Sequence, residues 1–372
     1  MRIAYVITRA GAVGGASIHV RDLARAMIER GGEAMVFVGG EGPVTAQLEA
    51  AGIPFRSLRF LRRSVHPLRD MRALEELGRA LGEFAPELVS AHTAKAGWIG
   101  RAVAARRGWP VLYTPHGWAI GDRLGPAQGL VFRWAERVAA GWASGIVCVS
   151  EYERELALRA GIAGAEKLHV IYNGVRDIPE TWRAEPGANP VRMVSVARLE
   201  APKDFRTLLK ALAALRSLDW ELELIGDGPL EREVREVAAR GGIAERVRLL
   251  GYQAEPAIAL ARAQIFVLSS RSEGFPRSIL EAMRAGLAVV ASNVGGVSEA
   301  VAEGATGLLV PAGNAEALSG ALRKLIGDAA ERKRMGHAAR LTYEGRFGFE
   351  RMLQKTVALY DAVARVREGL KY

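Results

Sequence analysis

Short apolar, β-branched segments alternate with helical segments along most of this chain. In the first half of the chain the apolar segments are not interrupted by alternating polar residues, which is typical of parallel strands buried on both faces of a sheet. The intervening segments space their apolar residues three or four positions apart, as in 67–84. The alternation predicts an α/β fold of doubly wound parallel sheets. The predicted strands are 2–7, 34–38, 88–91, 111–114, 145–149 and 168–171 in a first series and 193–196, 221–225, 247–250, 265–268 and 288–291 in a second.

A proline-rich segment without apolar periodicity separates the two series. It predicts two Rossmann-like domains at 1–178 and 191–346, joined by a linker at 179–190 and followed by a helical segment at 347–372. A length of 372 residues is enough for two domains with full hydrophobic cores. Because doubly wound sheets bind ligands beyond the carboxyl ends of their strands, we expect the functional residues in the loops that follow the strands.

The chain carries 51 basic and 41 acidic residues, a formal net charge of +10. Such an excess suits nucleic acid, an anionic membrane or an anionic substrate. A basic nucleic-acid-binding protein is the alternative of another class, but no aromatic-rich basic strand or recognition-helix pattern supports it. Because 43 of the basic residues are arginine, we attribute part of the excess to compositional bias.

Cysteine usage and hydropathy exclude several further classes. The single cysteine, Cys148, cannot form an internal disulfide or a thiolate zinc cluster, and it lies in a predicted strand, where we expect a buried thiol. No apolar run reaches the roughly 18 residues of a transmembrane helix. The N-terminal apolar run ends at Arg9 and is followed by glycines, so we expect a core strand rather than a signal peptide. These features predict a cytoplasmic protein.

Glycines follow the first predicted strand in the segment 11–16, where Gly14 and Gly15 directly precede a helix. Glycines at such a place let backbone amides approach a phosphate, although they also serve as a plain tight turn. The spacing matches neither G-x-G-x-x-G nor a P-loop. A nicotinamide-dependent oxidoreductase is therefore disfavoured.

Two cations and two glycines follow the first strands of the second series. Arg198 and Lys203 lie in the loop after the first of these strands, and Gly226 and Gly228 follow the second. A guanidinium binds phosphate oxygens in a bidentate manner, and an ammonium acts as a point charge. The cations suit a diphosphate; the alternatives are solvated surface charges and an ordinary glycine turn.

The most specific string is 272–283, which follows the strand at 265–268. Glu273 precedes a predicted helix and Glu281 lies within it, and carboxylates are suitable acceptors for sugar and ribose hydroxyls. A proline between them fits the first helical turn, so the amides of Ser278 and Ile279 are expected to be available for a phosphate.

The string from Glu273 to Glu281 resembles the E-x7-E motif of retaining glycosyltransferases of the GT-B fold, family 4. The supporting strings occur in the family's order over nearly the whole chain: 14–16 with His19, 172–175, 197–204, 226–229, 250–252, 295–299 and 307–311. The resemblance implies two Rossmann-like domains facing each other across a cleft, the first binding the acceptor and the second the donor. It also implies that the last helix packs back on the first domain.

The resemblance implies a role for each matching residue. The implied catalytic residues are His116, Arg198, Lys203 and Glu273, of which Arg198 and Lys203 hold the donor diphosphate. The implied donor-binding residues are Gly14, Gly15, Arg198, Lys203, Gly226, Gly251, Tyr252, Glu273, Gly274, Phe275, Ser278, Ile279 and Glu281. Glu281 is expected at the ribose, Glu273 at the transferred sugar and Tyr252 near the base. The co-substrate is a nucleotide-diphosphate sugar, UDP-linked first and GDP-linked next, with no cofactor and no essential metal.

His92 and Lys95 follow another strand of the first series, and with the string around His116 they resemble members that build capsules, exopolysaccharides and lipopolysaccharides. We expect His92 and Lys95 on the acceptor side; a helix cap with a surface cation is the alternative. The implied reaction transfers a sugar to a glycan or lipid-linked acceptor. The nearest alternative is a GT-B-fold epimerase of a UDP-sugar, against which the E-x7-E string argues.

The segment 56–72 holds six arginines and one acidic residue, interleaved with apolar side chains. A basic stretch of this kind can lie on an anionic bilayer, whereas a solvated surface is the alternative. We expect Arg59, Arg62 and Arg63 to contact a membrane, which would place the protein at the inner face of the cell membrane. Neither the charge pattern nor the motifs predict a nucleic-acid partner.

Overall fold

The computed structural model describes residues 1–118 and 126–369 and divides the chain into two compact units. Unit 1 comprises Met1–Tyr172 and Met352–Tyr372, and unit 2 comprises Asn173–Arg351. In each unit helices connect successive parallel strands, as the alternation of apolar and helical segments predicts.

Unit 1 contains a seven-stranded parallel sheet in the order β3-β2-β1-β4-β5-β6-β7. Its strands are β1 (Arg2–Ile7), β2 (Glu33–Gly39), β3 (Phe55–Leu58), β4 (Leu88–His92), β5 (Val111–Thr114), β6 (Gly145–Cys148) and β7 (Leu168–Val170). Its helices are α1 (Gly15–Glu29), α2 (Pro43–Ala50), α3 (Pro67–Phe84), α4 (Ala94–Arg107), α5 (Pro126–Gly141) and α6 (Glu151–Arg159). The direction of winding changes between β1 and β4, the position at which doubly wound sheets bind ligands.

The register of unit 1 brings several strand ends to one edge. Ile7 at the end of β1 lies opposite His92 at the end of β4, and His92 lies opposite Thr114 at the end of β5. These strands are buried on both faces, and Cys148 in β6 is likewise buried, as the apolar runs predict. The loops that carry functional side chains therefore begin from neighbouring points of a rigid core.

Unit 2 contains a six-stranded parallel sheet in the order β10-β9-β8-β11-β12-β13. Its strands are β8 (Val191–Val196), β9 (Trp220–Ile225), β10 (Val247–Gly251), β11 (Ile265–Leu268), β12 (Ala288–Ser292) and β13 (Gly307–Val310). Its helices are α7 (Phe205–Ala213), α8 (Glu231–Arg240), α9 (Ala257–Arg262), α10 (Arg277–Ala285), α11 (Val297–Ala300), α12 (Ala315–Gly327) and α13 (Ala329–Arg346). The winding direction changes between β8 and β11, which places the loops after these two strands side by side.

The proline-rich segment 179–190, expected as a linker, is packed within unit 2. The buried guanidinium of Arg332 donates hydrogen bonds to the carbonyl oxygens of Pro186 at 2.6 Å and Ala188 at 3.2 Å. Unit 2 begins at Asn173, earlier than the sequence indicated. The difference arises because a distant helix supplies the hydrogen bonds that hold this segment.

The last helix, α14 (Phe349–Gly369), belongs to unit 1 from Met352 onward. There the hydroxyl of Tyr360 lies 3.2 Å from Ser90 Oγ in β4, and both residues are buried. Within 1–118 and 126–369, no helix is both long and apolar enough to cross a membrane.

Candidate active site

Two loops of unit 2 touch each other beyond the ends of β8 and β9. A Cβ atom on Gly226 would lie 2.1 Å from the carbonyl oxygen of Ala197, and one on Gly228 would lie 2.4 Å from that of Leu199. The φ angles of these glycines are 138° and 152°, values that residues with a side chain rarely adopt. The Gly-Asp-Gly turn is therefore required for the close approach that positions the loop carrying Arg198.

Lys203 and Glu273, 70 residues apart, form the central ion pair of this site. Lys203 Nζ lies 2.5 Å from Glu273 Oε1, and Ser270 Oγ donates to the same oxygen at 2.6 Å. A backbone bridge between Lys203 and Ser270 joins the loop after β8 to the segment after β11. The two charged side chains are only 16% and 12% exposed, so the pair is partly desolvated and its charges act strongly on a ligand.

Arg198 lies in the same loop, and its guanidinium pairs with the Glu200 carboxylate. The two side chains are 34% and 19% exposed. Both cations predicted for the diphosphate thus carry a carboxylate partner, Glu200 in one case and Glu273 in the other. A guanidinium has five N–H donors, so Arg198 can keep its bond to Glu200 while donating hydrogen bonds to phosphate oxygens.

The backbone of Glu273 packs against a glycine pair that precedes α11. A Cβ atom on Gly295 would lie 1.8 Å from the carbonyl oxygen of Glu273, and the Gly296 amide donates to the Gly274 carbonyl at 3.0 Å. Gly295 has a left-handed φ of 58°. From the sequence these glycines are only a supporting string, whereas the structure shows that they hold the Glu273–Gly274 backbone in place.

Two further residues that sequence reasoning missed position the same segment. Asn173 Nδ2 donates to the Phe275 carbonyl at 2.8 Å, and Arg277 Nη1 donates to the Gly174 carbonyl at 2.9 Å. Phe275 is buried, with its ring 5.4 Å from that of Phe347. The only sequence signal for these contacts was the resemblance of the 172–175 string.

Helix α10 places the second glutamate of the motif as the sequence predicts. Glu281 is half-buried in the second turn, and Ser278 is half-buried in the first. The prediction of an available amide at Ile279 differs from the structure, because this amide donates to the Pro276 carbonyl at 3.2 Å. The first turn is tightened by an i→i+3 bond, which satisfies a donor that an α-helix would leave without an intrahelical partner.

The turn after β10, which is predicted to lie near the base, is hydrogen-bonded to the glycine turn after β9. The Gly251 carbonyl at the end of β10 accepts a hydrogen bond from the Gly226 amide at 2.8 Å. Gly251 has a left-handed φ of 67°, which turns the chain out of the strand. The next side chain, Tyr252, is 40% exposed, so its ring is accessible to a planar base.

In unit 1 the glycine loop after β1 leads directly into α1. Gly14 is the N-cap residue, and its amide donates to Ser17 Oγ at 3.0 Å. Gly15, the first residue of the helix, is exposed. An exposed helix N-terminus with a glycine is suited to an anion, as predicted for Gly14 and Gly15.

His116 lies two residues after β5, and it contacts two other histidines. Its Nε2 atom is 3.0 Å from Nδ1 of His92, and its ring is edge-on to that of His19, with centroids 4.9 Å apart. His116 has a φ of 55°, and Thr93, next to His92, has a φ of 69°. Left-handed backbone at residues other than glycine is strained and concentrates at functional sites.

The side chains predicted for the acceptor side, His92 and Lys95, both have partners within unit 1. His92 is 1% exposed, and burial, followed by the neighbouring His116 ring, lowers the pKa of His92 well below its usual value. The Lys95 ammonium pairs with the Asp70 carboxylate at 2.5 Å. The structure thus buries His92 next to His116 and pairs Lys95 with Asp70, while the acceptor-side role of both residues stays a prediction.

The basic segment predicted to meet a membrane is largely on the surface. Arg59, Arg62 and Arg63 are exposed, and the Arg59 guanidinium lies 5.5 Å from the centre of the Phe60 ring. In the part of the chain that the structure describes, no carboxylate pairs with these three guanidinium groups. Exposed apolar side chains adjoin them: Val65, Leu68 and Met71, which are 85%, 68% and 59% exposed.

Two family models match this chain, one for each half. The model described as Glycosyltransferase Family 4 matches residues 13–177, and that described as Glycosyl transferases group 1 matches residues 180–342. The two matches cover the glycine loop of unit 1 and the cations and carboxylates of unit 2.

Individual proteins show the same likeness. A UDP-Gal:alpha-D-GlcNAc-diphosphoundecaprenol alpha-1,3-galactosyltransferase of Escherichia coli is 26% identical over 303 residues, 77% of this chain and 78% of that protein. The capsular polysaccharide biosynthesis glycosyltransferase CapM of Staphylococcus aureus is 24% identical over 333 residues, 83% of this chain and 85% of that protein. The crystal structure of Anabaena Alr3699/HepE with UDP and glucose aligns with a TM-score of 0.82 and 25% identity over 97% of this chain and 99% of HepE.

The likeness in structure confirms the predicted fold class, an α/β protein of the GT-B type with two doubly wound sheets. The matches to both family models confirm the resemblance carried by the E-x7-E string. This chain therefore belongs to family 4 of the glycosyltransferases, within the glycosyl transferases group 1, and its activity is that of a glycosyltransferase.

Proposed function

We propose that the protein transfers a sugar, with retention of anomeric configuration, from a UDP-sugar to a glycan or lipid-linked acceptor in cell-surface polysaccharide synthesis. The observation that carries the proposal is the contact between Lys203 and Glu273 in the loop region that also holds Arg198. It joins groups for a diphosphate and groups for sugar hydroxyls in one site. The names of the relatives support the acceptor class, and the UDP and glucose bound to HepE support the donor class.

The charges of the site suit the chemistry of the transfer. The bond from the sugar C1 atom to the diphosphate oxygen breaks, and the diphosphate keeps the electron pair. The acceptor hydroxyl forms the new bond to C1 and gives its proton to the departing phosphate oxygen. Lys203 and Arg198 stabilise the charge that develops on the diphosphate, because preorganised cations in a partly desolvated site need little reorganisation. The proposal assigns this stabilisation to the two cations and includes no metal ion.

The carboxylates have the complementary task of recognising hydroxyl groups. Glu273 accepts hydrogen bonds from the sugar, held in place by its backbone contact with Gly295, and Glu281 accepts them from the ribose. Tyr252 stacks on the base. In unit 1, Gly14, Gly15 and His116 are the proposed donor contacts.

The donor class is tested by thermal-shift measurements with UDP, GDP and ADP sugars. A ligand that binds only the native state raises the melting temperature, and we expect UDP-sugars to give the largest rise. NMR of the product then reports the anomeric configuration, and an isomerised UDP-sugar without transfer would favour the epimerase. Transfer that stops in EDTA would contradict metal independence, and inversion would contradict retention.

The role of the cations is tested by Lys203→Ala, with the exposed Lys210→Ala in α7 as a matched control. Removing a charge-assisted contact made in the transition state is expected to lower kcat by about 100-fold or more. The control is expected to keep the wild-type rate. Equal rates for the two variants, both folded, would refute the diphosphate assignment of Lys203.

We further propose that unit 1 contacts an anionic membrane through Arg59, Arg62 and Arg63. The apolar side chains of α3 beside these arginines, Leu68 and Met71, are exposed, which suits insertion at the level of the headgroups. Helix α4 packs between α3 and α5, and α5 exposes a further apolar set, Leu130, Val131 and Trp134. The same helical layer thus presents apolar residues in two places.

Cosedimentation with vesicles of phosphatidylcholine and phosphatidylglycerol tests this surface. Replacing Arg59, Arg62 and Arg63 by glutamine is expected to weaken binding by about 100-fold, since each basic residue near such a surface contributes about 1 kcal/mol. The charge-matched control replaces three exposed arginines of α8, namely Arg232, Arg235 and Arg240. Equal binding of both triple variants, or binding that does not fall at high salt, would refute the proposal.

A further inference from the structure

Three histidines far apart in the sequence meet at one edge of the unit 1 sheet. His19 lies in the second turn of α1, His92 is the last residue of β4, and His116 follows β5. One nitrogen from each ring lies within 4.8 Å of the other two. The sequence suggested separate roles for these residues and no metal, so their convergence is a property of the fold alone.

We propose that this histidine cluster, His19, His92 and His116, is a binding site for a transition-metal ion, with Zn²⁺ the preferred ion. Three imidazoles and a water form the ligand set of a four-coordinate zinc site. Nitrogen ligands at about 2.0–2.1 Å from a tetrahedral zinc lie about 3.3 Å from each other. His92 Nδ1 and His116 Nε2 are already 3.0 Å apart, which leaves His19 as the ring that has to move closer.

The surroundings of His92 supply the support that a metal-bound imidazole requires. When Nδ1 coordinates the ion, the remaining proton resides on Nε2, which lies 3.0 Å from Ser90 Oγ. Ser90 Oγ is in turn 3.2 Å from the hydroxyl of Tyr360, so the acceptor is itself held by α14. A hydrogen bond of this kind fixes the tautomer and orientation of a ligating ring.

The ligand atoms of the cluster indicate which type of ion it would bind, and the exposure of its residues indicates how the ion would enter from solvent. In the described residues the cluster contains imidazole nitrogens and no carboxylate, a set that suits zinc, nickel or copper rather than magnesium or calcium. His19 and His92 are buried, whereas His116 is half-buried and provides the path from solvent. The ion would coordinate Nε2 of His116, which now lies 3.0 Å from Nδ1 of His92.

A consequence for activity follows, and it rests on the proposed role of His116 at the donor sugar. A zinc ion at the cluster removes His116 from that role, so micromolar zinc is expected to inhibit transfer and a chelator to restore it. The site is thus inhibitory and is compatible with a reaction that needs no metal.

The binding experiment uses the full chain without a polyhistidine tag, freed of metal by EDTA and desalting. Zn²⁺ is titrated against a chromophoric chelator, and Co²⁺ is added separately to observe the visible absorption of tetrahedral coordination. One ion per chain is expected. His19→Gln is expected to weaken binding by more than about 10-fold, since even the loss of a supporting hydrogen bond costs that much, and Ser90→Ala by about 10-fold. The control, His337→Gln, changes an exposed histidine of unit 2 and is expected to leave binding unchanged.

No binding of Zn²⁺ at micromolar concentration, or equal affinity in His19→Gln, would overturn the site. If His19→Gln does not fold, His116→Gln gives the same comparison on binding alone, and X-ray absorption of the zinc-loaded wild type must show imidazole ligands. The transfer rate with and without zinc is a separate readout. Zinc bound by the three histidines without inhibition would refute the role of His116 and leave the metal site standing.

Discussion

Gly295 is the position where a single methyl group tests the site most directly. In Gly295→Ala the new Cβ atom would lie 1.8 Å from the Glu273 carbonyl oxygen, whereas real Cβ atoms keep at least 3.0 Å from such atoms. The Glu273 backbone must therefore move by about 1.2 Å, and a misplacement of about 1 Å can lower the rate by about 100-fold. The left-handed φ of 58° adds strain of about 1–2 kcal/mol.

The matched control is Gly304→Ala, because Gly304 has a similar φ of 70° with nothing within 4 Å of its Cβ position. Both variants carry the backbone strain, and only Gly295→Ala displaces Glu273. We expect kcat/KM for a UDP-sugar to fall by about 100-fold in Gly295→Ala and to stay near wild type in Gly304→Ala. Chemical denaturation measures the strain in each. A folded Gly295→Ala protein with wild-type kcat/KM would refute the role of the Glu273 segment.

Three further outcomes are expected. Glu273→Gln removes the charge that pairs with Lys203, so UDP is expected to bind with a lower Kd while kcat falls by about 100-fold. A higher Kd of UDP in this variant would contradict competition between Glu273 and the diphosphate for Lys203. The Arg340 guanidinium holds the pKa of the Asp177 carboxyl below its usual value, so this pair stabilises the protein above pH about 4 and its contribution is lost on acidification below that. The difference in unfolding free energy between wild type and Asp177→Asn, up to about 1 kcal/mol, should shrink progressively as the pH falls below about 4; a difference that does not change with pH would contradict this. Gly97→Ala places a Cβ atom 2.1 Å from Tyr113 Cε2 and is expected to lower the free energy of unfolding by about 1–3 kcal/mol, and an unchanged denaturation midpoint would contradict the overpacking.

Eleven of the thirteen strands of the described residues were predicted from sequence, and the two that were missed, β3 and β13, lie at sheet edges. The strand β3 holds Arg56 and Ser57 within four residues and is therefore not an apolar run, whereas the short apolar strand β13 was recognised only within the family string 307–311. An edge strand is flanked on one side only, so its sequence is less constrained. The packing of 179–190 on unit 2 was also invisible, because it depends on Arg332, more than 140 residues away in sequence.

At the candidate site, the residue types and their positions in loops were predictable from the sequence, whereas the ion-pair partners of these residues were not. The cations and carboxylates follow strands as the doubly wound pattern requires, but nothing local shows that Lys203 pairs with Glu273 or Arg198 with Glu200. Those pairings depend on which strands are neighbours in the sheet. The burial of His92 has the same origin, since β4 is flanked by β1 and β5.

The two ion pairs explain how the charged side chains of this site are stabilised when no donor is bound. A partly desolvated cation without a partner is costly, and the Glu200 and Glu273 carboxylates offset this cost for Arg198 and Lys203. In the proposed function, a diphosphate that binds Lys203 displaces Glu273, which then becomes available to the hydroxyls of the sugar. Binding of the anion therefore sets free the group that recognises the sugar. Because Ser270 and the Gly295 contact keep Glu273 in position during this exchange, the carboxylate changes its partner without leaving the site.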